Sequence, residues 1–179
     1  MNGLSVVYVG GRQAGCVGLL TVAAARCRIL GVVAYDEEVT RIAEGLRLAS
    51  CRSIHDALVR DWLARSELLV SVHGREIVPP ALLSLPRHGG INAHPCLWAY
   101  KGASPVERLL RDRNPRASVG VHRMTQRLDE GEVLAEEFVD VPGAQRPESV
   151  YNALYPLYAS VLLKALRRVR EPSGAGASV

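Results

Sequence analysis

The sequence is poor in lysine, in aromatic residues and in long apolar runs, and each scarcity excludes a class of protein. Only two lysines, Lys101 and Lys164, stand among 22 basic residues, and aromatic residues make up 5% of the chain. The arginines are scattered and not interleaved with aromatic residues, so we expect solvated basic faces and no nucleic-acid partner. No apolar run approaches the roughly 20 residues of a membrane-spanning helix, so no membrane association is expected.

Cysteine is also scarce, and its spacing argues against two kinds of stabilising site. The four cysteines are Cys16, Cys27, Cys51 and Cys96, and no two have the spacing of a metal-binding pair. A disulfide framework is not expected in a chain of this size without a secretion signal. No His-x-x-x-His or His-x-Glu pattern indicates zinc, so we predict no metal. The N-terminus has no basic region before an apolar segment, which predicts no signal peptide and a cytoplasmic location.

Length and composition predict one domain. The chain has 179 residues, 48% hydrophobic and 22% charged, with a formal net charge of +4. These proportions are typical of an ordinary globular protein with a substantial core. We assign residues 1–170 to a single domain. Residues 171–179 consist almost entirely of Pro, Ser, Gly and Ala, which predicts a disordered tail.

Strand and helix patterns alternate through the first half of the chain. Apolar runs predict buried strands, at residues 4–9, 29–35 and 68–72. Helical spacing of apolar residues predicts helices, at residues 17–25, 37–48 and 54–65, the last capped by Ser53. The alternation predicts a three-layer α/β domain of the Rossmann type with a mainly parallel, twisted sheet.

The second half of the chain predicts two more strands and a long helix. The strands cover residues 117–125 and 132–141 and bracket a hairpin-like connection. The helix covers residues 148–170, and Pro156 inside it predicts a kink or a division into two helices. Its apolar residues leave open whether it packs in its own subunit or on a partner, so a homodimer remains open.

Asn92 and His94 form the most informative pair in the sequence. They lie two residues apart, so in a strand both side chains leave the same face. Pro95 fixes φ and lacks a backbone donor, which predicts that the strand ends just after His94. Reactive groups of α/β proteins collect at such strand ends, and an amide beside an imidazole can donate hydrogen bonds to a developing oxyanion. Asp129, at the end of another strand-like run, could orient the imidazole.

The stretch from residue 89 to 131 resembles the folate-dependent formyltransferase family. Members carry Asn-x-His-Pro, a small residue, two apolar residues, Tyr-Arg/Lys-Gly and Pro, and an Asp-x-Gly at the end of a later strand. The matching segments here are Asn92-Ala93-His94-Pro95, Cys96-Leu97-Trp98, Tyr100-Lys101-Gly102, Pro105, Gly120-Val121-His122 and Asp129-Glu130-Gly131. Two departures stand beside the Asn-x-His pair, since Cys96 replaces the usual Ser and Trp98-Ala99 replaces the usual Leu-Pro.

The resemblance implies an enzyme that moves a formyl group from 10-formyltetrahydrofolate, as co-substrate, to the primary amine of a small molecule. It implies that Asn92, His94 and Asp129 are the catalytic residues. It also implies that the pterin end of the folate is held by a loop after the third strand and by one later residue. These positions are Arg75, Glu76, Ile77 and Leu128.

The resemblance implies that the acceptor amine lies at the glycine-rich segment 10–15. The residues leave two interpretations of this segment open: a structural turn, or a site where free amides and Arg12 bind a phosphate-bearing ligand, which Arg12 favours. The substrate-binding positions expected from this segment and from the matching motif are Gly10, Arg12, Lys101 and Gly102. The segment Gly15-Cys16-Val17-Gly18 resembles the corresponding sequence of family members that formylate aminosugars on nucleotide carriers. This resemblance predicts that the acceptor is a nucleotide-linked or phosphorylated aminosugar.

Several alternatives remain open at this stage. One is formylation of another small amine such as glycinamide ribonucleotide. Another is a hydrolase that uses water with the same folate, and a third is a non-catalytic folate- or nucleotide-binding module. Initiator-tRNA formylation fits less well, because those relatives carry an additional C-terminal RNA-binding domain. A nucleophilic role for Cys96 is the minority interpretation, and His73 and His122 are expected to flank the cleft.

Overall fold

The computed structural model describes residues 3–171, in which helices and strands alternate along most of the chain. The predicted tail therefore lies outside the described residues, apart from Glu171. The elements, in chain order, are β1 (Ser5–Gly10), α1 (Arg12–Ala24), β2 (Arg28–Ala34), α2 (Glu37–Gly45), β3 (Ser50–Cys51), α3 (Ala57–Ala64), β4 (Leu68–Val72), α4 (Pro80–Leu83), β5 (Gly90–Pro95), α5 (Pro105–Arg111), β6 (Arg116–Arg123), β7 (Val133–Asp140) and α6 (Pro147–Arg170). Within this range no helix has the length and hydropathy to cross a membrane.

The described strands form one seven-stranded sheet in the order β3-β2-β1-β4-β5-β6-β7. The first five strands are parallel, and β5, β6 and β7 pair in antiparallel fashion. Every residue of β1 and β4 is buried, as expected for central strands covered by helices on both faces. The predicted fold class, a three-layer domain with a mainly parallel sheet, is confirmed.

Helix α6 packs on the sheet of its own chain, which answers the question left open by the sequence. Its buried residues Leu154, Leu162 and Leu166 share one core cluster with Val119 and Val121 of β6. The helix is continuous from residue 147 to 170 and is not divided at Pro156. Pro156 lies on the exposed side of the helix, where water can satisfy the carbonyl that loses its partner.

Two helices begin at residues other than those predicted. Helix α1 starts at Arg12 and not at residue 17. Gly15 and Gly18 belong to this helix and not to a loop, because they allow it to pack closely on β1. A Cβ on Gly18 would meet the Tyr8 hydroxyl at 2.4 Å, so the glycine permits the contact of helix and strand. Helix α3 starts at Ala57, and its cap is Asp56, which accepts from the Leu58 amide at 2.9 Å. The capping role predicted for Ser53 is wrong, because the helix begins only after Asp56; Ser53 Oγ accepts the His55 amide before the helix and donates to Glu76.

Gly31 in β2 gives a test of this packing. A Cβ there would lie 2.2 Å from the ring of the buried Trp62, so alanine forces the indole or the strand to move. We expect Gly31→Ala to lower the free energy of unfolding by about 1–3 kcal/mol. Gly45→Ala is the matched control, because a Cβ at this position in α2 meets nothing within 4 Å. This substitution should raise the free energy of unfolding by about 0.5–1 kcal/mol. Chemical denaturation of both variants checks this, and an unchanged Gly31→Ala would contradict it.

Candidate active site

A cleft of about 350 Å³ opens at the carboxyl ends of β1, β4 and β5. The chain winds outward in opposite directions from β1 and β4, and α/β sheets form their ligand crevices at such a switch point. The cleft is lined by residues from the ends of these strands, from the segment after β5 and from α6. They are Arg12, His73, Gly74, Arg75, Asn92, Ala93, His94, Pro95, Gly102, Ala103, Ser104, Pro105, Glu107 and Tyr151.

The three predicted catalytic side chains converge beside this cleft. Asn92 and His94 are half-buried on one face of β5, as the spacing predicts. Asp129 lies in the β6–β7 connection and is 4% exposed, directly behind the histidine. Its Oδ2 lies 3.2 Å from Nε2 of His94. The carboxylate therefore faces the imidazole from the side away from solvent.

The surroundings of His94 define its neutral tautomer. Nε2 lies 3.1 Å from the Gly102 carbonyl and 3.2 Å from the Asp129 carboxylate, and two oxygen acceptors require that Nε2 carry the hydrogen. Nδ1 then keeps the lone pair, and among residues 3–171 this enclosed atom has no hydrogen-bond partner. Burial lowers the pKa of His94, although the charge of Asp129 opposes that shift. At neutral pH the ring is therefore a neutral base with one uncompensated nitrogen.

Asp129 is held by several partners at once. It occupies the left-handed region at φ 54, which Asp tolerates better than most residues. Its Oδ2 accepts the Gly102 amide at 2.8 Å, and its Oδ1 lies 3.2 Å from Nε2 of His122. Burial alone would raise the pKa of this carboxyl, but the His122 hydrogen bond, the charge of His94 and the Gly102 amide together lower it. Asp129 therefore stays ionised at neutral pH.

His122 has a closer place in the site than the sequence predicted. It is the direct partner of Asn92 in the β5–β6 register, and its Nε2 lies 3.4 Å from the Asn92 amide nitrogen. Its Nδ1 lies 2.9 Å from the Arg123 carbonyl, which orients the ring. Only the antiparallel register brings His122 to Asn92 and Asp129, and sequence spacing contains no signal for that register.

The residues predicted to hold the folate fall into two groups. Arg75 lines the cleft and pairs with Asp36. Ile77 and Leu128 lie outside the cleft lining and are 80% and 64% exposed, so both side chains are free to cover a ligand.

Glu76 has a structural role in the same loop. It accepts from Ser53 Oγ at 2.7 Å and from the Ile54 amide at 2.8 Å. Burial would raise its pKa, but these hydrogen bonds outweigh burial and lower it. The ionised side chain thus braces the loop after β4 against the segment before α3.

The predicted acceptor residues divide in a similar way. Arg12 and Gly102 line the cleft, whereas Gly10, buried at the end of β1, and the exposed Lys101 do not. The glycine-rich segment is not an open turn, since only Gly11 separates β1 from α1. Its amides are partly used, because Gly11 donates to the Val72 carbonyl at 3.2 Å and Arg12 to Asp36 Oδ2 at 2.5 Å. The Arg12 side chain, which lines the cleft, adds a cationic group there.

A second cleft, of about 420 Å³, adjoins the first and shares four of its residues. The shared residues are Arg12, His73, Glu107 and Tyr151. Tyr151 and Tyr155 both line the second cleft, and their rings stack at a centroid separation of 6.4 Å. The sequence did not indicate this cleft, because the helical spacing of α6 marks Tyr151 and Tyr155 only as residues near a core.

Cys96 directly follows β5 but does not line either cleft. It is fully buried, and burial raises the pKa of its thiol, so the unreactive protonated form prevails at neutral pH. We expect Cys96→Ser to keep turnover within about threefold of wild type, since the hydroxyl fits the same space. Steady-state kinetics checks this, and a folded but inactive Cys96→Ser would restore the nucleophile hypothesis.

Comparison with protein families matches nearly the whole chain to a single family model. The formyl transferase family model matches residues 5–166. Methionyl-tRNA formyltransferase of Syntrophomonas wolfei subsp. wolfei is 26% identical over 183 residues, covering 93% of this chain and 58% of that protein. The enzyme of the same name from Listeria welshimeri serovar 6b is 30% identical over 102 residues, covering 56% and 33% respectively. The chain thus spans less than two thirds of these relatives.

Solved structures share the fold. Phosphoribosylglycinamide formyltransferase from Bacillus halodurans superposes with a TM-score of 0.78 at 15% identity, covering 94% of this chain and 97% of that one. Formyltetrahydrofolate deformylase from Pseudomonas syringae pv. tomato superposes with a TM-score of 0.76 at 20% identity, covering 92% and 60%. At these identities the similarity establishes the architecture and leaves the acceptor open.

Proposed function

The chain belongs to the formyl transferase family, and we propose that it transfers the formyl group of 10-formyltetrahydrofolate to a primary amine. The observation that carries the proposal is the convergence of Asn92, His94 and Asp129 at the end of β5, with 3.2 Å between the imidazole and the carboxylate. An amide donor, a base and an anion that orients the base are the groups that acyl transfer to an amine requires.

The residues present fit the formyl donor. The first cleft is lined by Asn92 and His94, so a formyl group bound there meets an amide donor and the imidazole. In this proposal the reacting end of the folate lies beside His94. Arg75 and the loop braced by Glu76 hold the pterin, and the exposed Ile77 and Leu128 cover it.

The proposed reaction needs no covalent bond to the protein. The neutral amine attacks the formyl carbon, and the carbonyl oxygen becomes an oxyanion that accepts a hydrogen bond from the Asn92 amide. In this proposal the imidazole of His94 takes up the amine proton, and the resulting imidazolium is stabilised by Asp129. The imidazolium then returns the proton to the departing folate nitrogen. One carbon–nitrogen bond forms, one breaks, and the protein ends in its starting state.

The second cleft supports an acceptor that carries an anion and a ring. Arg12 has no acidic side chain within ion-pair distance among the described residues, and it faces both clefts. The aromatic side chains of Tyr151 and Tyr155 can contact a ring, and the amide side chains of Gln13 and Asn152 can bind hydroxyl groups. A phosphorylated or nucleotide-linked aminosugar combines these features, and we propose this class as acceptor.

A second acceptor is favoured by one specific observation. The curated relatives described above are methionyl-tRNA formyltransferases, so the methionyl end of a charged tRNA competes with the aminosugar as acceptor. The two differ in size, and a screen of amines separates them.

The test measures loss of 10-formyltetrahydrofolate with a panel of amines. The panel contains glucosamine 6-phosphate, a nucleoside-diphosphate-linked amino sugar, glycinamide ribonucleotide and methionyl-tRNA, with a reaction lacking amine as the measure of hydrolysis. We expect turnover to require an amine and to be highest with an aminosugar. Loss of 10-formyltetrahydrofolate at the same rate without amine would establish hydrolysis, and no loss at all would contradict the proposed function.

Arg12→Ala tests the anion-binding role on the best amine of this panel. Losing a charged hydrogen-bond donor should raise the Michaelis constant for the amine roughly 10- to 100-fold, with folate affinity unchanged. Arg60→Ala is the matched control, because Arg60 is an exposed arginine of α3 away from both clefts. An unchanged Michaelis constant in Arg12→Ala would remove the anion site.

A further inference from the structure

His73 occupies the junction of the two clefts. It follows the last residue of β4 and lines both clefts, together with Arg12, Glu107 and Tyr151. Its backbone lies in the left-handed region at φ 55, a conformation that costs a non-glycine residue energy and that collects at functional sites. The strand end and the packing around it hold the imidazole at this point.

Tyr158 defines which ring nitrogen of His73 carries the hydrogen. The Tyr158 hydroxyl is fully buried and lies 2.9 Å from Nε2 of His73, its only hydrogen-bond partner among the described residues. If Nε2 carried the hydrogen, the phenol proton would be buried without an acceptor. If the phenol donates to Nε2, both groups are satisfied. The hydrogen of the neutral ring therefore sits on Nδ1.

Nδ1 of His73 is open to the cleft. It forms no hydrogen bond within residues 3–171, and it is not among the enclosed atoms without a partner. The edge of the ring meets Tyr151 at a centroid distance of 5.5 Å, which restricts its rotation. Burial lowers the pKa of His73 to about 4, with smaller contributions from the charges of Arg12 and His94. At neutral pH the ring therefore presents one neutral N–H donor.

We propose that His73 is an acceptor-binding residue whose Nδ1–H donates to an oxygen of the acceptor beside the reacting amine. The proposal rests on the proposed function, since it assumes that the acceptor bridges the two clefts. An N–H donor cannot bind an ammonium hydrogen, so it bonds to a hydroxyl, carbonyl or phosphate oxygen. It thereby orients the acceptor while the amine stays neutral and able to attack.

Two substitutions separate this role from a structural one. The amide nitrogen of Asn in His73→Asn can take the place of Nδ1 and keep the donor, and Asn tolerates the left-handed backbone. The longer side chain of His73→Gln reaches the place of Nε2 and keeps the contact with Tyr158, but it removes the Nδ1 donor. Each variant thus retains one of the two functions of the imidazole.

The kinetic experiment uses full-length protein, 10-formyltetrahydrofolate and the panel amine with the highest kcat/KM. His73→Gln should raise the amine KM about fivefold or more with kcat little changed, because this bond is made equally in the ground and transition states. His73→Asn should keep the amine KM within about threefold of wild type and lower the melting temperature instead, because the Tyr158 hydroxyl loses its partner. The proposal is overturned if His73→Asn raises the amine KM more than His73→Gln does, if both variants raise it equally, or if neither variant changes it.

A second measurement needs neither acceptor nor variant. Two-bond proton–nitrogen NMR spectra of the ¹⁵N-labelled protein at pH 7 distinguish the two neutral tautomers of His73. The signals of His73 are identified as those missing from the His73→Asn spectrum. We expect hydrogen on Nδ1, and hydrogen on Nε2 would overturn the proposal whatever the acceptor is. Failure of the wild type to turn over any amine contradicts the proposed function and the acceptor contact with it, whereas turnover with the wrong variant pattern contradicts the role of His73 alone.

Discussion

Replacing His94 or Asn92 by alanine should lower turnover about 10²- to 10³-fold, with the fold and the folate affinity little changed. Both side chains contact the reacting group in the proposed mechanism, and the charge they stabilise exists only in the transition state. His94→Ala also removes the base that takes the amine proton. Both residues are half-buried at the end of β5, so truncation leaves the apolar core of the sheet intact.

The measurement combines kcat with a folate dissociation constant from titration. His55→Ala is the matched control for His94→Ala, because His55 is an exposed histidine outside both clefts. Its turnover should equal that of wild type. If His94→Ala or Asn92→Ala keeps more than about a tenth of wild-type turnover, the corresponding residue does not act on the transition state.

Asp129→Asn should lower turnover by about three to four orders of magnitude, the effect seen when an amide replaces a carboxylate that orients a catalytic histidine. Asparagine has the same shape and tolerates φ 54, so the loop is preserved. Its oxygen can keep the place of Oδ2, where it accepts the Gly102 amide and faces His94, and its NH₂ group then faces Nε2 of His122. His94 keeps a neutral acceptor but loses the anion that stabilises its protonated form.

The pKa of His94 gives an independent readout of this prediction. In the wild type, burial lowers that pKa and the charge of Asp129 opposes the shift. Asp129→Asn removes the opposing charge, so the pKa of His94 should fall further, which NMR titration measures. Glu130→Gln is the neighbouring control, since Glu130 is exposed and, among residues 3–171, forms an ion pair only with Arg127 at 3.5 Å. A His94 pKa that does not fall in Asp129→Asn would contradict the assigned contact.

The sequence by itself determined the parts of this protein that depend on local patterns. The apolar runs and helical spacings predicted the buried strands and the α/β class, because period and burial follow from side-chain direction. The spacing of Asn92 and His94 before Pro95 predicted two side chains on one face at a strand end. The bounds of the strand at residues 68–72 were predicted to the residue, because polar residues flank this short apolar run on both sides.

Tertiary structure decided which distant residues meet. His122 contacts Asn92 and Asp129 only because β6 runs antiparallel to β5 in one particular register. Glu76 braces a loop because its carboxylate reaches Ser53, and α1 begins at Arg12 because glycines allow it to lie against β1. Helix α6 brings Tyr158 to His73 across 85 residues of sequence. These contacts depend on how elements pack, and a local pattern of residues contains no information on the partner that packing will provide.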